Sequence, residues 1–256
     1  MNTESMQRGL RVLAATAFLG FSAASWGNLA DAEAAYEKQE YFVAFREFAA
    51  LAKAGDAVAQ AALGRIYLDG KGAPRDSRAA ASWYEKAAQQ GHAGAQFQLA
   101  KMYAAGVGDK ADAARAAQLM EKSASQGVVW AMYSLGLIYR DGSGVAKDLV
   151  QAHKWLDLAA SSTQSAAIAE YIALAKTART ELEPALNPDQ LRDAQKLAGA
   201  WRATKRSGDT QWQKSINHPV VLLVAGEAAD GKVGTPAANQ KPDESSPLTR
   251  DYFPKS

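Results

Sequence analysis

The chain has 256 residues, with 29 Lys and Arg against 27 Asp and Glu, a formal net charge of +2, and 56 alanines. It holds no cysteine, which removes disulfides, thiolate metal sites, a cysteine nucleophile and a lipidated N-terminal cysteine together. Charge this close to balance argues against nucleic acid as the main partner, because phosphate binding calls for a net basic face. The three histidines, His92, His153 and His218, lie far apart and in no ligand-like spacing, so neither a metal site nor a cofactor is expected.

Arg8 and Arg11 precede an apolar run from Val12 to Phe21, and the small residues Ser22-Ala23-Ala24-Ser25 follow. That order is the signature of a secretory signal peptide, so residues 1–27 are assigned to one. Ser22 and Ala24 fit a small-x-small cleavage site, with Gly27 a second option. The run is about half of what a membrane-spanning helix needs, so no span is expected after cleavage. The alternative is an uncleaved helix packed on the next one. Cleavage would place the protein in the periplasm or outside the cell.

A period of 36 residues follows, and segments 57–92, 93–128 and 129–164 align without a gap. Ala59/Ala95/Ala131, Leu63/Leu99/Leu135 and Tyr67/Tyr103/Tyr139 recur, spaced by four within each copy, which puts them on one face of a first helix. The glycine pairs 70/72, 106/108 and 142/144 predict its end. Asp76, Asp112 and Asp148 are expected to cap a second helix, and Gln151 to complete a capping box with Asp148. Ala80, Trp83 and Ala87 should point inward from that second helix. Pro74 falls in the loop between the two.

The pattern A-x-x-x-L-G-x-x-Y-x-x-G-x-G, then D, then A-x-x-W-Y-x-K-A-A-x-x-G, resembles the Sel1-like repeat family, relatives of tetratricopeptide repeats. Ala59, Leu63, Gly64, Tyr67, Gly70, Gly72, Asp76, Ala80, Trp83, Tyr84, Lys86, Ala87, Ala88 and Gly91 carry it. The third copy keeps Gly136 and Trp155; the second has Ala100 and Leu119 in their places. Cysteine-rich members are associated with penicillin binding or β-lactamase-type activity, but their paired cysteines are absent here. The resemblance implies that first helices line a concave surface.

Segment 28–56 reads as a leading helical pair, with Ala44 and Gly55 standing 36 before Ala80 and Gly91. After the third copy a last helix is predicted from Asn187-Pro188, with Gln190 closing a capping box and Leu191, Ala194, Ala198 and Trp201 as its buried stripe. The expected fold is all-α, a right-handed α-solenoid of about five antiparallel helix pairs over residues 28–203, with atypical ends as caps. Five of the eight prolines fall in 204–256, which is read as a mostly disordered tail. Its apolar run Val220 to Val224 would either fold back on the last helices or dock a partner.

No catalytic constellation emerges. The G-x-G triplets lack a preceding strand and the Lys-Ser/Thr of a P-loop. Asp141 with Asp148 is better explained by capping than by acid–base work, His153 is placed at a surface or rim, and His92 between pairs. Binding residues are sought where the repeats differ. Arg65, Lys101 and Arg140, with Phe97, Trp130 and Tyr133, are the candidate groove; the alternative for each aromatic is packing on the preceding helix. An acidic or extended peptide, or a sugar polymer, suits such a groove. The expected function is a non-catalytic interaction scaffold of the bacterial cell envelope. A cell-wall-directed hydrolase on a solenoid scaffold and a secreted effector contacting host molecules are the alternatives.

Overall fold

Helices of twelve or thirteen residues recur at the repeat period: α3 Ala57–Asp69, α4 Ser77–Gln89, α5 Ala93–Ala105, α6 Ala113–Ser125, α7 Val129–Asp141 and α8 Leu149–Ala160. They are preceded by α1 Leu29–Glu37 and α2 Tyr41–Lys53, and followed by α9 Ala169–Leu182 and α10 Pro188–Ser207. The structure, a computed structural model, describes residues 28–162 and 168–207. The expected signal peptide and almost all of the expected tail lie outside the described residues. Each helix packs on the next in order up to α9, the arrangement of an α-solenoid of helix pairs. The last two helices depart from the repeat, because α9 and α10 both lie against α8.

The caps form where the spacing places them. The side chains of Asp76, Asp112 and Asp148 accept backbone N–H groups of the first turns of α4, α6 and α8. Asp56 caps α3, and His92 caps α5 by accepting the Ala95 N–H at its Nδ1. The predicted box at Asp148 is only half made, since the Gln151 side chain accepts from Lys154 instead. The reason recurs in every copy: the capping aspartate spends its own N–H on the carbonyl of the recurring tyrosine. Asp76 donates to Tyr67, Asp112 to Tyr103 and Asp148 to Tyr139, all at 2.9 Å. A glutamine reaching back finds no donor left. At Asn187 and Gln190 no such tyrosine competes, and both bonds of the box are present, at 2.9 and 3.0 Å.

The two glycines of each loop do different work. Gly70, Gly106 and Gly142 end α3, α5 and α7 in the left-handed region. Gly72, Gly108 and Gly144 also have positive φ, but they face the first residue of the second helix one pair earlier. A methyl at Gly108 would stand 2.7 Å from the Ser77 carbonyl oxygen, and methyls at Gly72 and Gly144 would overlap the carbonyls of Tyr41 and Ala113. Tyr41, Ser77 and Ala113 are themselves 36 residues apart. Backbone therefore rests on backbone between successive pairs. A further glycine, Gly64 in α3, leaves room for the ring of Tyr84 in α4, and Gly136 does so for Leu156. The second copy has Ala100 there, with Met120, slender and unbranched, at the position of Tyr84 and Leu156.

First helices are consequently enclosed on nearly all sides. Every residue from Ala59 to Ile66 in α3 and from Ala93 to Ala100 in α5 is buried. Tyr84, not Trp83, is the fully buried aromatic of α4; Trp83 is half-buried beneath the Lys86 ammonium, 4.0 Å from its ring centre. Glutamines at repeat spacing tie the layers. Gln90 donates to the Gln60 side chain at 2.8 Å and Gln126 to that of Gln96 at 2.7 Å, while Gln60 and Gln96 donate to the carbonyls of Ala52 and Ala88.

The C-terminal cap turns on Asp157 of α8. Its carboxylate accepts from Arg179 of α9 at 2.8 Å and from Arg202 of α10 at 2.6 Å. His153, one turn earlier, is not at a rim but 2% exposed, with Nε2 3.5 Å from the Glu183 carboxylate. The helix that covers it lies beyond the last full repeat, where no period marks it. Ala194 and Ala198 are buried as expected, and Trp201 meets Trp155 edge-on at 6.3 Å.

Two stability experiments follow from these contacts. Gly91 has positive φ and open space around it, so Gly91→Ala should cost only its strain, about 1–2 kcal/mol. Gly144→Ala should cost at least ~1 kcal/mol more in urea unfolding, because backbone cannot move aside as a side chain can. Burial pushes the Asp157 carboxyl up, but Arg202 and Arg179 outweigh it and hold it below its ordinary value. Its contribution is thus present above the unfolded carboxyl value and lost as pH falls below about 4. Asp157→Asn should lower stability by about 1–2 kcal/mol at neutral pH and remove that acid dependence, read as amide exchange in α9 and α10.

Candidate functional site

The residues that differ between copies converge on one strip of first helices. Arg65, in the third turn of α3, is 7% exposed and donates its Nε–H to the Asp69 carboxylate one turn on. Burial works against its charge, and Asp69 more than restores it, so its pKa is raised. Lys101 holds the equivalent position in α5. Burial first, and the nearby Arg65 charge second, lower it to about 8. The hydroxyls of Tyr36 and Tyr84 are buried without a hydrogen-bond partner among the described residues, and both groups lie within electrostatic reach of Arg65 and Asp69. Burial raises the pKa of each tyrosine, so both stay protonated donors.

The strip turns aromatic toward its C-terminal end. The Lys101 ammonium lies 5.6 Å from the centre of the Phe97 ring, and Phe97 meets Trp130 of α7 at 6.1 Å. Trp130 meets Tyr171 of α9 edge-on at 6.2 Å, and Tyr133 meets the same Tyr171 at 6.1 Å. Phe97 and Trp130 are buried between helices, so packing on the neighbouring helix describes them, while Tyr133 is half-buried. The Trp130 Nε1–H is buried with no partner among the described residues. Burial, with Glu170 and Tyr133 adding, pushes Tyr171 up to about 12.

Five of the six residues singled out by sequence are therefore linked through this strip. Arg140 holds Asp141 at 2.7 and 2.9 Å at the end of α7. Sequence reasoning missed Tyr36 and Tyr171, which stand outside the three full copies, and Asp69, which looked like an ordinary end-of-helix residue. The two buried serines donate their hydroxyls to carbonyls, Ser123 to Ala93 and Ser134 to Trp130. Among the described residues no group of three or more His, Asp and Glu could hold a metal ion, and no helix is long and apolar enough to cross a membrane. Cation and phenol groups thus stand at one end of the strip and packed rings at the other. If Arg65 helps depress Lys101, competitive acylation should titrate Lys101 near 8, and Arg65→Gln should move that midpoint upward. An unchanged midpoint would show that burial alone sets it.

The Sel1 repeat family model matches residues 57–92, 93–128 and 131–163. Among solved structures, the chain is similar to the crystal structure of c5321, a protective antigen present in uropathogenic Escherichia coli strains that displays an SLR fold. Identity is 27% and the TM-score 0.56, over 82% of this chain and 43% of that one, so this chain spans less than half of that protein's length. A Sel1 repeat protein from Oxalobacter formigenes is 34% identical over 53% of this chain and 96% of its own, with a TM-score of 0.47. No curated protein matches the chain. Three tandem copies in register, folded as stacked helix pairs, make the conclusion direct: residues 57–163 of the chain carry three Sel1 repeats.

Proposed function

We propose that the protein is an exported, non-catalytic interaction scaffold of the bacterial cell envelope that holds a partner peptide along the strip of first helices. Sel1 repeats mediate protein–protein interaction. The observation that carries the reading for this chain is the continuity from Arg65 and Lys101, through Phe97 and Trp130, to Tyr133. Arginines and aromatics that pack against one another form rigid anchors and lose little entropy when a partner docks. Lys101 and Tyr133, the half-buried members, would meet the partner, with Arg65, Phe97 and Trp130 as the floor beneath them and Arg140 at the edge. Export is supported by the basic start, the ten-residue apolar run and the small residues ending at Ala24.

The test is a crosslinked partner list from intact cells for the wild type and for a Lys101→Glu, Tyr133→Ala double variant. Partners that disappear with the variant, while its helicity is retained, support the strip. An unchanged list would place binding elsewhere. Turnover of a muropeptide or penicillin-type substrate by the purified chain would overturn the non-catalytic reading, and a cytoplasmic protein with an intact N-terminus would overturn export.

A further inference from the structure

The face of α2 opposite its buried residues Ala44, Phe48 and Ala52 does not follow the repeat. Phe42, Arg46, Ala49 and Lys53 are spaced by four, three and four, which sets them in one stripe along the helix. The residues 36 further on are Arg78, Ser82, Glu85 and Gln89, and one copy later Ala114, Gln118, Glu121 and Ser125. Where those copies carry a solvated polar face, the leading pair carries a phenyl ring. Phe42 is 73% exposed, far more than any other large apolar side chain among the described residues, and Val43 beside it is exposed too.

The Phe42 ring stands at one end of a groove that Phe45, Arg46, Ala49, Ala50 and Lys53 line. Residues 46, 49, 50 and 53 have the spacing i, i+3, i+4, i+7 of the four side chains that surround a hole on a helix surface, into which a facing helix can set a knob. The two alanines keep its floor low, and the stems of Arg46 and Lys53 make its walls. Phe42 lies one turn before the hole, so a single helix carries both knob and hole. A second α2 laid antiparallel sets each Phe42 into the hole of the other, with a two-fold axis near Arg46. A parallel pairing fills one hole only, and its other Phe42 then faces residues that precede α2.

Charge agrees with this seating. Lys53 makes no ion pair among the described residues, and Arg46 holds Glu47 at 2.8 Å. Two cations thus flank a hole whose expected occupant is an aromatic ring, negative on its face. The chain makes the same contact internally, with Lys86 4.0 Å from the Trp83 ring centre and Lys154 4.2 Å from that of Trp155. The groove is also held firmly from behind, because Tyr41 rests on Gly72 and Phe45 meets Tyr67 edge-on at 5.8 Å.

We propose that α2 is a self-association surface, on which two copies of this chain pair antiparallel with each Phe42 ring seated among Arg46, Ala49, Ala50 and Lys53 of the other. None of the strip residues takes part, so the proposal stands apart from the scaffold reading. Two thirteen-residue helices, each about 20 Å long, bury less than the roughly 1,200 Å² of a standard interface, so the dimer is weak and dependent on concentration.

Sedimentation equilibrium of the full chain from about 1 to about 500 µM should show monomer and dimer in exchange. Phe42→Glu should raise the dissociation constant by about tenfold or more with helicity retained, since a glutamate in the first turn suits the helix dipole. Ala49→Glu, which installs the residue of the next two copies, should do the same. The chain has no cysteine, so single substitutions report the symmetry. Arg46→Cys, near the axis, should oxidise to a disulfide-linked dimer, whereas Lys53→Cys, whose two copies stand about 20 Å apart, should not. A monomer across the whole range, a dimer indifferent to both glutamates, or the reverse crosslinking pattern would each overturn the proposal and leave the groove to another occupant.

Discussion

A Sel1 helix pair cannot bury its apolar faces alone, so the stack depends on how closely each pair settles on the one before. In this chain that distance is set by backbone meeting backbone at Gly72, Gly108 and Gly144, each pressed against the first residue of the second helix one pair earlier. Side-chain contacts can yield by changing rotamer. A carbonyl against a Cα cannot, so the loop glycines act as fixed spacers and the side chains fill the space that remains. The same closeness explains the alanines, because Ala59, Ala80, Ala95, Ala116, Ala131 and Ala152 are all fully buried where helices approach.

Tight stacking also decides what kind of binding surface the solenoid can have. Once a first helix is pressed on both sides by its neighbours and behind by its own partner, few of its side chains keep contact with solvent. Residues that would line an open groove in a looser stack are drawn between layers, as Phe97 and Trp130 are. They still shape the surface by fixing the rings and charges above them. The cap contributes directly, since the Asp157 pair with Arg179 anchors α9, and α9 brings Tyr171 to the aromatic end.

How much of this was legible in the sequence follows from where the period holds. The helix pairs, the aspartate caps, the glycine stops and the box at Asn187 were all readable, because each is a local rule repeated in register or placed at a helix start. The glutamine ties were readable too, since Gln60 and Gln96, like Gln90 and Gln126, recur at 36; polar residues in a repeat are simply easy to assign to the surface. What sequence could not supply was depth. Variation at positions 61, 97 and 133 shows that the repeat does not need one residue there, yet the same freedom exists at a surface and between layers that carry complementary variants. His153 was misplaced for a related reason, as its cover comes from a segment with no register to extrapolate. The Asp148 box failed because a carbonyl nine residues upstream, at Tyr139, competes for the same N–H.

Tandem duplication starts every copy with the same inner surface, and divergence gives it direction. Position 65 runs Arg65, Lys101, Leu137 through the three copies, while position 61 runs Ala61, Phe97, Tyr133 and position 58 runs Val58, Gly94, Trp130. At these three positions charge is lost along the stack as ring area is gained, whereas the position one turn on runs Leu68, Ala104, Arg140. On the proposed reading, a peptide with one acidic and one apolar end would have one favourable polarity on this strip, because reversing it would leave the carboxylate beside the Tyr133 and Tyr171 rings and away from Lys101. The repeat would supply the length of such a site, and the departures from the repeat its orientation. Specificity on the proposed reading would accordingly belong to the series of first helices taken together, which no single copy contains.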